Sequence, residues 1–256
     1  MGLAAASEGD DVKFVASMLC HNELSRFLPL AVEHLLTYVD EIRCVDDGST
    51  DGSYEWLCEQ DGVAVKRNSG PGFYHDESLL RNALLDWAFE GNATHVIAID
   101  SDEFVPDGRK LRTYLGKGSL WSLTMREVWK ADKGSLYTRE DGGWRGHNAP
   151  IVYKTPEHRD GSWKIQSKKL ASGRTPVAIM RNTRDAINTK LDILHFGWTR
   201  EADRQDRYTR YAEHDRGRFH AMAHLRSILF EDQKVNLKPL PWPDSLPKDE
   251  LLRRVT

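Results

Sequence analysis

Between Val12 and Asp107, short apolar runs alternate with amphipathic segments, and the runs end in clusters of polar residues. Residues 12–19 (VKFVASML), 41–45 (EIRCV), 63–66 and 94–99 (THVIAI) are short and mostly apolar, with β-branched residues in each, which predicts strands. Residues 23–38 place Phe27, Leu28, Leu30, Ala31, Leu35 and Leu36 near one helical face. A second helix is expected at 53–59, and a third at 77–90 with Leu80, Ala83, Leu84, Trp87 and Ala88 buried. Strands and helices in alternation predict an α/β fold with a mostly parallel central sheet. In such sheets ligands bind beyond the carboxyl ends of the strands. Three polar clusters occupy those ends: His21-Asn22-Glu23, Asp46 to Ser53, and Asp100 to Glu103. Their convergence on one edge predicts a single site.

Past Asp107 the pattern loosens. Residues 120–129 read as a strand, 130–146 as a polar, turn-rich stretch, and 151–154, 163–165 and 177–180 as short strands. Residues 201–230 form a long charged helical stretch with Tyr208, Tyr211, Phe219, Met222, Leu225 and Leu229 at buried positions. The run PLPWPDSLP at 239–247 cannot be helical throughout. The chain therefore divides into a flexible tail (1–11), an α/β half (12–107), a less regular half (108–200) and a C-terminal helical extension with a Pro-rich tail (201–256).

With 36 basic and 39 acidic residues and a net charge of −3, the chain is not built to grip nucleic acid over its whole surface. Cys20, Cys44 and Cys58 have no CxxC spacing, and two of them fall in apolar runs, which suits a reducing, cytoplasmic location. No apolar run is long enough to span a membrane, and residues 1–11 lack the features of a signal peptide.

Asp100-Ser101-Asp102 follows a buried strand. Two carboxylates one residue apart offer the hard oxygen ligands that Mg²⁺ and Mn²⁺ prefer, with positions left for phosphate and water. They would point the same way if the strand continued. A DxD is also what a solvated acidic turn looks like; Asp46 and Asp47 on the neighbouring carboxyl edge favour the metal site.

The runs VKFVASMLCHNE, EIRCVDDGSTDGS, LLRNALLDW and HVIAIDSDEF, in this order, resemble family 2 glycosyltransferases of the GT-A fold. Asn22-Glu23 matches the Asn-Glu pair after that family's first strand. DDGSTDGS is complete at 46–53, Arg81-Asn82 matches the Arg-Asn pair on a helix, and Asp100-Ser101-Asp102 with Glu103-Phe104 matches the DxD and its DEF variant. The resemblance covers about residues 12–107 and thins beyond 110. It implies a Rossmann-like GT-A fold with a nucleotide-sugar half at 12–107 and an acceptor half at 108–200. It implies sugar transfer from a nucleotide-diphosphate sugar, a UDP-sugar first, to an acceptor hydroxyl, with inversion and with Mn²⁺ or Mg²⁺. Asn22, Glu23, Asp46, Asp47 and Ser49 would hold base and ribose, with Asp47 or Asp46 accepting from a base N–H. Arg81 would lie near base or phosphate, and Asp100 and Ser101 near the donor. Asp102 would bind the metal directly, and Asp100 would contact ribose or reach the metal through water.

His195, at the end of LDILHF, sits in a context similar to the His that completes the metal shell in many GT-A enzymes; a satisfied core histidine is the ordinary alternative. For the base that deprotonates the acceptor, Glu140 and Asp141 resemble an acidic pair of some members, and Asp160 is another candidate; each is equally readable as a surface carboxylate. Trp121, Trp129, Trp144, Trp163 and Trp198 are core residues with one or two lining an acceptor groove. Arg200, Arg204, Arg207, Arg210, Arg216 and Arg218 form a solvated face paired with interleaved acids, from which one arginine, or Lys190, could brace a diphosphate. The acceptor (a saccharide, a protein side chain or a modified nucleobase) and the oligomeric state are left open. A metal-dependent phosphatase of the haloacid dehalogenase type, whose nucleophile also follows an apolar strand in a DxD, and a nucleotide-binding module without turnover are the alternatives.

Overall fold

The structure is a computed structural model describing residues 12–166, 173–180, 186–214, 222–229 and 235–255. Residues 1–11, Arg216, Arg218, Phe219 and Phe230, and the side chain of Met222, lie outside the described residues.

Strands β1 (Phe14–Cys20), β2 (Glu41–Asp46), β3 (Val63–Arg67) and β4 (His95–Ala98) form a parallel group in the order β3-β2-β1-β4. β1 is buried along its whole length, which requires an apolar run without polar alternation. Phe14, Ala16 and Met18 join the cluster containing Leu28, Val32 and Leu35 of helix α1 (Leu28–Leu35) and Leu57 of α2 (Ser53–Cys58). Val15 and Leu19 belong to the clusters holding Leu85 and Leu84 of α3 (Phe73–Glu90).

Helix α1 is shorter than expected. Residues 24–27 form turns, and Pro29, which has no N–H to donate, sits in the first turn. In α3, Asp76 leaves helical geometry (φ −162°, ψ 102°) and its Oδ1 accepts the Ser78 N–H at 2.9 Å, so the regular helix begins where the periodicity places it. Leu85 takes the buried face in place of Ala83, which is exposed.

The other half is antiparallel. β8 (His147–Lys154) joins β4, followed outward by β6 (Leu120–Ala131), β7 (Ser135–Arg139) and β10 (Leu237–Pro241). β9 (Ile187–His195) runs parallel to β6 and pairs with the two-residue β5 (Glu103–Phe104). The expected α/β fold with parallel central strands is present.

Several local expectations change. Residues 163–165 are not a strand: the backbone of Ile165 is held by Asn82, which accepts its N–H at 2.8 Å and donates to its carbonyl at 3.1 Å. Residues 177–180 form helix α4 (Val177–Met180). The polar stretch 130–146 contains β7, and the late helical stretch contains α5 (Glu201–His214) and α6 (Met222–Leu229). Pro239 and Pro241 fit because among the described residues β10 pairs only with β7, at the end of the strand order. Helix α7 (Lys248–Val255) buries Leu251 and Val255 in the cluster of Phe27, Phe104 and Phe196. All five tryptophans of residues 108–200 are buried, three of them in one cluster: Trp144 has ring centroids 5.0 Å from Trp129 and 4.9 Å from Trp198. Among the described residues no helix is long and apolar enough to cross a membrane.

Candidate active site

The loops after β1 and β2 are laced together by short polar side chains. Asn22 adopts a left-handed conformation (φ 54°); its N–H donates to Ser49 Oγ at 2.8 Å and its Oδ1 accepts the Thr50 N–H at 2.8 Å. Ser53 Oγ accepts the N–H groups of Glu23 and Leu24, each at 3.0 Å. Asp46 is fully buried and its Oδ1 accepts the Ser49 N–H at 3.1 Å. Asp47 Oδ2 accepts the Phe73 N–H at 2.8 Å, and its Oδ1 accepts from Asn68 Nδ2 at 2.7 Å. DDGSTDGS is therefore a folding motif in its own right: it closes its turn and moors the start of α3.

The DxD does not continue its strand. β4 ends at Ala98, and a turn closed by Glu103 N–H to the Asp100 carbonyl (3.1 Å) separates the two carboxylates, which have different partners. Asp100 Oδ1 accepts from Arg81 Nη2 at 2.8 Å and Oδ2 from Arg174 Nη2 at 2.7 Å. Arg81 also pairs with Glu77 (3.0 Å), and Arg174 with Glu103 (2.5 Å). Burial pushes the Asp100 carboxyl up, but Arg174 and Arg81 outweigh it and hold it below the usual range. Glu77 and Glu103 are raised, chiefly by burial. Ser101 is buried between the two aspartates.

Asp102 stands at the centre of the second set. Its Oδ2 lies 2.6 Å from Arg207 Nη2 and 3.4 Å from His195 Nε2. His195 Nδ1 donates to Glu127 Oε2 at 2.6 Å. The Arg207 guanidinium lies over the Trp198 ring at 4.7 Å, and Trp198 meets the imidazole edge-on at 5.9 Å. Sheet register makes the set: His195 pairs across strands with Glu103 of β5 and with Glu127 of β6. Glu23 also faces this centre. Burial raises it to about 7, Arg26 offsets part of that, and Asp102 adds to it; its Oε2 has no hydrogen-bond partner among the described residues.

Charge balance explains the remaining shifts. Burial raises Asp102, but His195 and Arg207 outweigh it and hold the carboxyl well below the usual range. Burial lowers His195, but Glu127 and Asp102 push it up to about 10. Since this folded value exceeds the unfolded one, the imidazolium stabilises the metal-free protein fully below about pH 6.5, and that stability is lost as pH climbs through about 10. We predict that in chelator the gap in Tm between wild type and His195→Gln is widest near pH 6 and narrows towards pH 10.5. A gap independent of pH would contradict the assignment.

A divalent cation fits Asp102 and His195. Ligand atoms roughly 2.1 Å from an octahedral ion lie about 3 Å apart when adjacent, close to the spacing of Oδ2 and Nε2. Arg207 already places a positive charge beside Oδ2, and a carboxylate behind a metal-facing imidazole is a recurrent arrangement. Among the described residues no three His, Cys, Asp or Glu side chains are grouped to hold a metal ion, so phosphate oxygens and water would supply the other positions.

The acceptor-side candidates have other partners. Glu140 Oε1 is 3.4 Å from Arg126 and 3.3 Å from Thr138 Oγ1. Asp141 is held by Arg139 at 2.7 Å, which lowers its pKa, and accepts the Asn236 N–H at 3.1 Å. Asp160 Oδ1 accepts the Ser162 N–H at 2.7 Å in an exposed turn. Glu127 and Arg174 fall outside the sequence motifs, and Arg207 reads in the sequence only as part of a solvated face. The Arg126-Glu127 pair interrupting an apolar strand was the available signal for Glu127; Arg174 has none.

No family model matches the chain, and no curated protein matches it. Among solved structures it is similar to S. aureus TarS 1–349, with 15% identity over 85% of this chain and 69% of that chain and a TM-score of 0.47. It is similar to TarS 1–349 in complex with UDP-GlcNAc at 15% identity over 85% of this chain and 70% of that chain, with a TM-score of 0.46.

Proposed function

We propose that this chain is a GT-A-type glycosyltransferase. It moves a sugar from a nucleotide-diphosphate sugar, a UDP-sugar first, to an acceptor hydroxyl with inversion, using Mn²⁺ or Mg²⁺ at Asp102 and His195. The observation that carries this reading is the 3.4 Å approach of Asp102 Oδ2 and His195 Nε2 on the sheet edge where the β1 and β2 loops also end. Asp102 and His195 would hold the cation, which would supply positive charge against the charge that grows on the leaving nucleoside diphosphate.

Asn22, Glu23, Asp46, Asp47 and Ser49 line the side for base and ribose, where Asp47 would exchange its mooring bonds for a base N–H. Arg81 and Arg174 keep Asp100 ionised beside Ser101 for the ribose or a metal-bound water. Arg207, which pairs with Asp102 at 2.6 Å, would turn to the diphosphate. Residues 12–107 would supply most of the donor side and 108–200 the acceptor side, with Arg174, His195 and Arg207 joining the donor side. The base is sought among Glu140, Asp141 and Asp160, with Glu140 favoured because its contacts are the longest.

A haloacid dehalogenase-type phosphatase would need Asp100 as nucleophile, yet both its oxygens are held by arginines. The test is release of nucleoside diphosphate from a panel of UDP-, GDP- and other nucleotide sugars with Mn²⁺. Release from at least one sugar supports transfer. Tight nucleotide binding without release would instead identify a binding module, and turnover of a generic phosphomonoester would revive the phosphatase.

A further inference from the structure

We propose that Glu127 is a positioning residue that decides which ring nitrogen of His195 meets the cation; this rests on the metal reading above. The two residues are cross-strand partners on β6 and β9, so the parallel register fixes their proximity. Glu127 Oε2 accepts from Nδ1 at 2.6 Å, and both side chains are 13% exposed, so water competes little for this bond.

With the Nδ1 proton committed to Glu127, Nε2 is the nitrogen that would give up its proton and offer a lone pair to a cation, and it faces Asp102 Oδ2. A half-turn of the ring would put carbon atoms where Nε2 and Nδ1 now stand. Glu103, the other strand neighbour of His195, is engaged elsewhere through Oε2, which accepts from Arg174 at 2.5 Å and from the Asp100 N–H at 3.0 Å. Arg126, the next residue, pairs instead with Asp192 and Glu140, in keeping with strand alternation, and leaves the Glu127–Nδ1 bond undisturbed.

The experiment is Mn²⁺ titration followed by EPR of the free ion on the full chain. The variants are Glu127→Ala, Glu127→Gln, His195→Ala and the double variant Glu127→Ala/His195→Ala, with metal-free melting curves as the folding control. Loss of a partner of this kind typically weakens metal binding by about 10- to 100-fold. Glu127→Ala should show that loss, and Glu127→Gln, whose amide oxygen can still accept from Nδ1, should recover part of it. In the His195→Ala background Glu127→Ala should cost nothing further. Wild-type affinity in a folded Glu127→Ala, or an equal loss in both backgrounds, overturns the inference while leaving the metal reading intact. Failure of the wild type to bind Mn²⁺ overturns both.

Discussion

Asp102→Ala is expected to reduce nucleotide-sugar turnover by at least about a thousandfold at saturating Mn²⁺. The metal's stabilisation of the leaving diphosphate is worth several kcal/mol, and each 1.36 kcal/mol is tenfold in rate. Asp102 also balances Arg207 and His195, whose contacts converge on one oxygen, Oδ2. Asp102→Asn keeps the shape and removes the charge, which separates the two roles. It should lose nearly as much activity, and in chelator it should also lose stability because Arg207 and His195 lose the carboxylate they share, although His195 retains Glu127. Turnover and urea denaturation of both variants are the measurements. Near-wild-type turnover in a folded Asp102→Asn would remove Asp102 from the centre of the chemistry.

Gly197→Ala is expected to be the most damaging single-methyl change in the site. Gly197 is buried, and a Cβ there would lie 2.6 Å from His195 Nε2 and clash with Asp102 Oδ2 and Arg207 Nη2 as well. Three functional atoms would have to spread to admit one carbon. Overpacking of this kind costs about 1–3 kcal/mol, and a displacement of about 1 Å at a reacting centre can cost about a hundredfold in rate. The expected outcome is a folded protein with a modestly lowered Tm and a turnover about a hundredfold down or worse. Wild-type turnover with a lowered Tm would place the catalytic atoms elsewhere.

The parallel half was legible because β1, β2 and β4 are buried along nearly their whole length and are mostly apolar, and because Asn22, Asp46 and Asp76 bond backbone at positions their residue types favour. The antiparallel half was not, because its strands carry charges whose partners are remote in sequence. Arg126 meets Asp192, Glu127 meets His195, and Arg139 bridges to Ser227. Local periodicity contains none of those pairings. Nor does it contain the inward turn of Arg207, which pairs across 105 residues with Asp102 while neighbouring Arg210 pairs locally with Asp206. The Asp100 and Asp102 carboxylates would share one face if the strand continued. The turn after β4 makes them unlike, Asp100 clamped by two arginines and Asp102 shared with an imidazole.

The most direct measurement is a crystal structure of the protein with a UDP-sugar and Mn²⁺, read by the anomalous signal of manganese. The account predicts one strong peak within ligand distance of Asp102 Oδ2 and His195 Nε2, with Arg207 turned away from Asp102 and the nucleotide base beside the β1 and β2 loops. A manganese peak remote from Asp102, or a nucleotide bound away from those loops, would contradict it.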